Sequence, residues 1–237
     1  MTRRRWIADE VSDNSAFLTG DHADHLIRVL RARVGQEFDI VAAGVARLGS
    51  VASIADGRVE FKLGEEIRSS TTANLTLLLS IFKFDRMEWA IEKCTELGVS
   101  KIFPLIARRT ETHLASAAAK RVERWRRIAM QASEQSRRIS PPEITNPIEL
   151  REAAALPGNP RIVLAESEQE TRLRDLIHPG EVADTLLAIG PEGGWTQDEL
   201  DLLSNNGWIS ATLGPTILRA ETAAIVATAL AMSFLSE

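Results

Sequence analysis

Leu75-Thr76-Leu77-Leu78-Leu79-Ser80-Ile81-Phe82 is a short, nearly continuous apolar run. A strand with one wet face alternates, whereas an unbroken run belongs to a strand covered on both faces, as in a parallel sheet. The chain downstream repeats the theme. A helix is predicted from Asp85, where Asp85-x-x-Glu88 resembles a capping box, to a stop at Gly98. Val99 to Ile106 reads as the next strand, and Ala118 to Gln135 as a helix with the stripe Val122, Trp125, Ile128/Ala129 and Ala132. Three further strands are expected at Arg161–Ala165, Thr185–Ile189 and Ile209–Leu213, with Thr196-x-x-Glu199 capping a helix between the last two. Arg219 to Leu235 closes the chain as an Ala-rich apolar helix. This alternation predicts an α/β fold on a parallel sheet.

Upstream the pattern is different. Glu37–Val41, Arg47–Ile54 and Arg58–Leu63 read as β-strands, with Gly35, Gly44 and Asp56-Gly57 as turns and one helix at Asp21–Leu30. The small polar stretch Arg68–Ala73 reads as a linker. The expected division is therefore a β-rich domain over 1–70 and an α/β domain over 73–237. At 237 residues, two domains or one large one fit the usual size range of about 100–200 residues each.

Composition narrows the classes. Apolar residues make up 44% and charged residues 26%, which excludes a disordered chain. No apolar run reaches the roughly 18 residues that cross a bilayer, and the basic start Met1-Thr2-Arg3-Arg4-Arg5-Trp6 lacks the apolar stretch of a signal peptide. Cys94 is the only cysteine and falls on an apolar helix face with Met87 and Ile91, so it reads as core. His22 and His25 share a helical face, but no ligand cluster completes a metal site. A cytoplasmic protein without metal or membrane partner is expected. The net charge of −5 hides an asymmetry: residues 101–140 carry ten Lys/Arg against three Glu, and residues 141–237 carry five Arg against fifteen Asp/Glu. A basic segment of this kind suits a polyanion, although a solvated helix face would show the same charges.

The chemistry concentrates where two strands end in a Gly-Pro step: Ile189-Gly190-Pro191-Glu192-Gly193-Gly194 and Leu213-Gly214-Pro215-Thr216-Ile217-Leu218-Arg219. Ligands of open α/β sheets settle beyond the carboxyl ends of strands. Glycine lets backbone approach a ligand, and proline keeps the loop in shape when empty. Such loops offer fixed amides and carbonyls, which suit an adenine and a ribose. An ordinary strand-to-helix turn accounts for either loop alone; the pair at adjacent strand ends points to a ligand. Neither a G-x-x-x-x-G-K-[ST] loop nor a G-x-G-x-x-G after a strand is present, so a triphosphate is disfavoured. Arg219, a cation at a helix start, opposes the helix dipole and needs another reason to be there. Glu221 offers a carboxylate for proton transfer, but an acid in a first helical turn is favourable in any protein. Basic side chains positioned for an RNA backbone are His25, Arg28 and Arg31 early in the chain, Arg108, Arg109, Arg124 and Arg127 in the middle, and Arg137-Arg138 beyond them. The five tryptophans read as packing residues.

These two loops, together with Leu218-Arg219-Ala220-Glu221-Thr222-Ala223, resemble the signature of the ribosomal RNA small subunit methyltransferase E family. His25-Leu26…Val29-Leu30-Arg31, Lys93-Cys94-Thr95-Glu96-Leu97-Gly98-Val99 and Glu134-Gln135-Ser136 extend the resemblance over almost the whole chain. It implies an S-adenosylmethionine-dependent enzyme that methylates N3 of a uridine in 16S rRNA of the assembled small subunit. It also implies a SPOUT domain with a C-terminal trefoil knot, a homodimer, and a PUA-like β-barrel as the N-terminal domain. By carry-over the cofactor would be held by Leu164, Glu166, Ile189, Gly190, Pro191, Glu192, Gly193, Gly194, Leu213, Gly214, Ile217, Leu218, Thr222 and Ala223, with Arg219 as electrostatic stabiliser and Glu221 as base. Two positions depart from the family's pattern: Arg137 stands where glycine is common, and Thr216 where arginine is common. Arg137 is expected to supply the charge that Thr216 lacks. Competing expectations are methylation of another RNA position such as a ribose 2′-hydroxyl, a non-catalytic RNA-binding assembly factor, and a phosphotransferase. The last lacks both a phosphate loop and a magnesium carboxylate pair.

Overall fold

A computed structural model describes residues 4–67, 74–177 and 184–235. The chain divides into two units: residues 1–70 with 133–140, and residues 71–132 with 141–237. The stretch 68–73, expected as a linker, lies outside the described residues.

The first unit is a six-stranded sheet in the order β1-β4-β5-β6-β3-β2. Its strands are β1 (Arg5–Ile7), β2 (Glu10–Ser12), β3 (Ser15–Leu18), β4 (Glu37–Ala42), β5 (Val45–Ala55) and β6 (Arg58–Glu66). Among the described residues only β1 and β4 pair parallel. The sheet's two edges, β1 and β2, are separated in the chain by Ala8 and Asp9 alone. The Ala8 amide donates to Val41 O at 2.9 Å and the Asp9 amide to Phe17 O at 3.0 Å. Two residues span about 7 Å, so the sheet is rolled until its edges nearly meet. Alternation along β6 turns Val59, Phe61 and Leu63 inward onto Trp6, Leu18, Phe38 and Ile40. The helix expected at 21–30 is shorter and changes pitch: α1 (Gly20–Asp24) runs into a π-helical turn at His25–Val29. The short strands β1 to β3 carry too few residues to show a period, so sequence alone does not reveal them.

The second unit is a parallel sheet in the order β10-β8-β7-β12-β11-β13, with β9 paired to β8. In chain order its elements are β7 (Leu75–Ser80), α2 (Phe84–Leu97), β8 (Lys101–Ile106), α3 (Thr112–Ala118) and α4 (Val122–Gln135). There follow β9 (Glu143–Ile144), β10 (Ile148–Glu149), α5 (Leu150–Ala154), β11 (Arg161–Leu164), β12 (Thr185–Ile189), α6 (Gln197–Asn205), β13 (Ile209–Ala211) and α7 (Ala220–Leu235). The unbroken apolar run at 75–82 has the expected cause. Leu75, Leu77 and Leu79 enter a core with α2, α7 and Trp125, while Leu78 enters another with α5, α6 and Trp208.

Several expectations need correction. The strands that end in the Gly-Pro loops, β12 and β13, are not adjacent, because β11 pairs between them. The helix expected over 118–135 starts later: Ala118 ends α3, a 3-10 turn follows at Ala119–Arg121, and α4 covers the rest. Asp85-x-x-Glu88 is not a capping box: Lys83 is the cap residue, without a side-chain cap bond, and Asp85 lies inside the first turn. Thr196 and Glu199 do form the full box. Gly98 ends α2 at φ +112°, where a Cβ would stand 2.8 Å from Met232 Cε. α7 buries Ala220, Ala224, Ala227 and Ala231 on one stripe, and these small side chains let it lie close to α2. Trp6, Trp125 and Trp208 are packing residues as expected, but Trp89 is 48% exposed. Among the described residues no helix is long and apolar enough to cross a membrane.

Candidate functional site

The carboxyl ends of β11, β12 and β13 open into a cavity of about 930 Å³. Its wall consists of the segments 164–169, 189–195 and 211–220, completed by Arg109 after β8, Arg172, Gln197, Leu200 and Ala223. The loop after β12 is built around two glycines. A Cβ on Gly190 would lie 3.0 Å from Trp195 Nε1, and that indole N–H donates to Leu164 O at 2.8 Å, tying the loop to the end of β11. The Gly194 amide donates to Pro191 O at 2.8 Å, closing a turn that Gly194 completes at φ +70°. From outside the loop, Arg109 Nη1 donates to Gly193 O at 2.6 Å and to Trp195 O at 3.3 Å.

The other two walls are tied to each other. Thr212 Oγ1 accepts from the Gly214 amide at 3.2 Å and donates to Gly214 O at 3.1 Å. The Thr212 backbone pairs with Thr171 and Leu173 on the loop that follows β11. On that loop Glu168 accepts from the amides of Glu170 and Thr171 at 2.8 and 2.9 Å. These bonds, that from Thr171 foremost, hold its carboxyl below the usual carboxylate range. The wall thus carries three carboxylates (Glu166, Glu168, Glu192) and three guanidinium groups (Arg109, Arg172, Arg219) around apolar Leu164, Ile189, Leu213 and Leu218. It suits a ligand with charges of both signs on an apolar body.

The structure brings most of the expected cofactor residues together: Leu164, Glu166, all of 189–194, Leu213, Gly214, Ile217, Leu218 and Ala223 line this cavity. Thr222 does not. It faces a shallower groove of about 320 Å³ between α2 and α7, lined also by Trp89, Leu97, Ile225 and Val226. Consecutive residues of a helix point about 100° apart, so Ala223 can meet the cavity while Thr222 cannot. Arg219 lines the cavity with an exposed side chain that no group among the described residues holds. Glu221 is absent from the wall. It is 4% exposed, and its Oε1 lies 3.8 Å from Arg86 Nε.

The basic candidates are divided between the units. In the second, Arg124 is committed to Glu88 by two bonds of 2.6 and 2.7 Å, and Arg109 belongs to the cavity. Arg108 and Arg127 present exposed side chains. In the first, Arg28 is exposed beside Asp24 at 3.4 Å, and the His25 ring leans on Trp6 with centroids 5.6 Å apart. Arg31 and Arg137 both adopt left-handed backbone, at φ +51° and +61°. The Arg5 guanidinium donates to Arg137 O. Burial lowers the pKa of Arg138 to about 10. Nearby, Glu134 has its carboxyl pushed up by burial, opposed by His22, whose Nε2 lies 3.6 Å away and whose Nδ1 lies 2.9 Å from Asp9. Sequence reasoning missed Arg172 and Trp195 as wall residues and assigned Arg109 to RNA alone. For Arg109 a signal existed: it follows β8, whose carboxyl end exits on the same side as the two Gly-Pro loops.

Residues 69–232 match the family described as RNA methyltransferase domain. A ribosomal RNA small subunit methyltransferase E from Rickettsia conorii is 32% identical over 95% of this chain and 93% of its own length. One from Aquifex aeolicus is 28% identical over 96% and 98%. A crystal structure of such an enzyme from Neisseria gonorrhoeae bound to S-adenosyl methionine superposes with a TM-score of 0.86 at 30% identity, covering 98% of both chains. With the cavity at the strand ends and agreement along nearly the full length, the chain belongs to the ribosomal RNA small subunit methyltransferase E family.

Proposed function

We propose that this chain methylates N3 of one uridine in 16S rRNA, using S-adenosylmethionine and acting as a homodimer on the assembled small subunit. The observation that carries the reading is the cavity in which both Gly-Pro loops meet the end of β11. Its donor set fits the cofactor. Leu164, Ile189, Leu213 and Leu218 would cover a flat ring, and the backbone of 189–194 and 213–218 would pair with its edges. Glu166 would face its cationic groups, with Arg109 and Arg172 near its carboxylate. When bound, the cofactor supplies an electrophilic methyl group.

Uracil N3 carries a proton at neutral pH, so the site has to stabilise the anion that forms as this proton departs. Arg219 answers that need, since its guanidinium is permanently charged, at the cavity wall and without a partner among the described residues. Positioning of the acceptor against the cofactor supplies a further share of the rate. The rolled sheet of the first unit serves as the PUA-like barrel. Its exposed His25, Arg28, Arg31 and Arg137 hold RNA phosphates, and Arg108 and Arg127 do so on the second unit. The crossed order that puts β11 between β12 and β13 supports a C-terminal trefoil knot. The groove with exposed Trp89 and Val226 supports dimerisation through α2 and α7.

The test is to incubate the protein with S-adenosylmethionine and small subunits lacking the modification, then identify methylated nucleosides by mass spectrometry. 3-Methyluridine is the expected product. A 2′-O-methylated nucleoside would move the chemistry to the sugar, and no product on a competent substrate would overturn the activity.

A further inference from the structure

Three charged side chains from three elements meet behind the cavity wall. Arg86, in the first turn of α2, donates through Nη1 to Glu192 Oε1 at 2.6 Å, and its Nε stands 3.8 Å from Glu221 Oε1. Glu192 belongs to the loop after β12 and lines the cavity. Glu221 belongs to the first turn of α7 and is buried, and its Oε2 has no hydrogen-bond partner among the described residues. The position of Arg86 and the burial of Glu221 are each unfavourable alone. A guanidinium in a first helical turn opposes the dipole, and a buried carboxylate with one oxygen unbonded carries a desolvation penalty. Set together they offset one another, because a single planar cation faces both acids.

The segments that Arg86 joins both contribute to the cavity wall: the turn 191–194 and the start of α7, directly after Arg219. We propose that Arg86 is a positioning residue that clamps these segments in register, and that Glu221 serves the reaction as the anchor of Arg86, not as the acceptor of the N3 proton. This rests on the cavity being the S-adenosylmethionine site. Arg86 does not itself line the cavity, so its effect passes through Glu192 and Glu221.

Hydrogen exchange on the cofactor-free chain reads the clamp directly. In Arg86→Ala the peptides covering 189–196 and 217–224 exchange faster than in the parent, while peptides of β7 and β8 do not change. Titration calorimetry then shows S-adenosylmethionine bound about tenfold more weakly, a difference of about 1.4 kcal/mol. Arg86→Lys recovers part of this loss, since an ammonium satisfies one carboxylate but not two. Glu192→Gln removes only the exposed half of the clamp and keeps the question open should Arg86→Ala fold poorly. Added to Arg86→Ala, it weakens binding no further. Glu221→Gln raises the cofactor Kd and leaves the shape of the kcat–pH profile intact. Unchanged exchange and Kd in Arg86→Ala would overturn the clamp, and loss of a limb of the pH profile in Glu221→Gln would restore that residue as the base. A parent chain that fails to bind S-adenosylmethionine, while Arg86→Ala still loosens both segments, would overturn the cofactor assignment and leave the clamp standing.

Discussion

Two turns of this molecule adopt nearly the same left-handed backbone with opposite residue choices. Gly194, at φ +70°, completes the loop after β12; Arg137, at φ +61°, follows the end of α4. At the second turn the Arg138 amide donates to Ser133 O at 2.9 Å and the Arg137 amide to Glu134 O at 3.3 Å. That is the Schellman pattern, and Arg137 occupies the position at which glycine is preferred. The first turn lines the cavity, and under the proposed function it would meet the cofactor with backbone, where a side chain would be an obstacle. The second keeps a long cation in a strained conformation costing about 1–2 kcal/mol. Strain of this sort is retained where the side chain has a use. The lesson is that one left-handed turn is filled by a residue that clears space for main chain, and the other by one that keeps a charge at the surface.

Within the cavity, Arg219 stands apart from the glycine turns as the wall residue to which the proposed reaction gives a purely electrostatic part. Arg219→Ala is expected to slow methyl transfer by about 10²–10³, the usual loss for one stabilising donor. Its cofactor affinity, measured by calorimetry, should stay near that of the parent chain. A normal rate on small subunits would remove Arg219 from the chemistry. Gly190→Ala tests the opposite kind of recognition. The new Cβ would press on Trp195 Nε1 at 3.0 Å and loosen its bond to Leu164 O. The expected result is about tenfold weaker cofactor binding with kcat little changed, equivalent to about 1.4 kcal/mol. A tenfold drop in kcat at unchanged Kd would mean that the loop shapes the reacting geometry and not just the pocket.

How legible each region was in the sequence follows from the same contrast. Gly190, Pro191, Gly214 and Pro215 declare a fixed backbone by residue type, and the strand-end rule places them, so most of the cavity was readable. Glu221 was not, because its burial and its approach to Arg86 depend on how α7 lies against α2. Arg124 shows the same limit: its exposure on a basic helix is plain in the sequence, but its commitment to Glu88, 36 residues earlier, is set by packing. The parallel sheet was legible from its apolar runs, whereas the edge strands β9 and β10, of two residues each, carry no period to read. The assignment of 133–140 to the first unit leaves no trace in composition at all.

Glu134 extends the comparison to a group whose charge is itself at stake. Burial raises its carboxyl pKa above the unfolded value of 4.5. Between those two values the folded chain binds more protons than the unfolded one, so stability falls as pH rises through that window. Melting curves taken from about pH 4 upward should show this decline in the parent and not in Glu134→Gln. An identical slope in both would assign the pH dependence to other groups.

The smallest effect is expected at Arg137, and it should have two signs. Glycine adopts φ +61° without the Cβ penalty, so Arg137→Gly should stabilise the chain by about 1 kcal/mol and raise Tm by roughly 2–4 °C. The same change removes one cation from the exposed surface of the first unit. If that cation pairs with an RNA phosphate, affinity for the small subunit should fall, and the slope of log K against log salt should shrink by about 1. A more stable chain with weaker, less salt-dependent binding would show that the strain is kept for the charge. A more stable chain with unchanged binding would show that Arg137 carries the strain without using it, and the contrast with Gly194 would reduce to backbone preference alone.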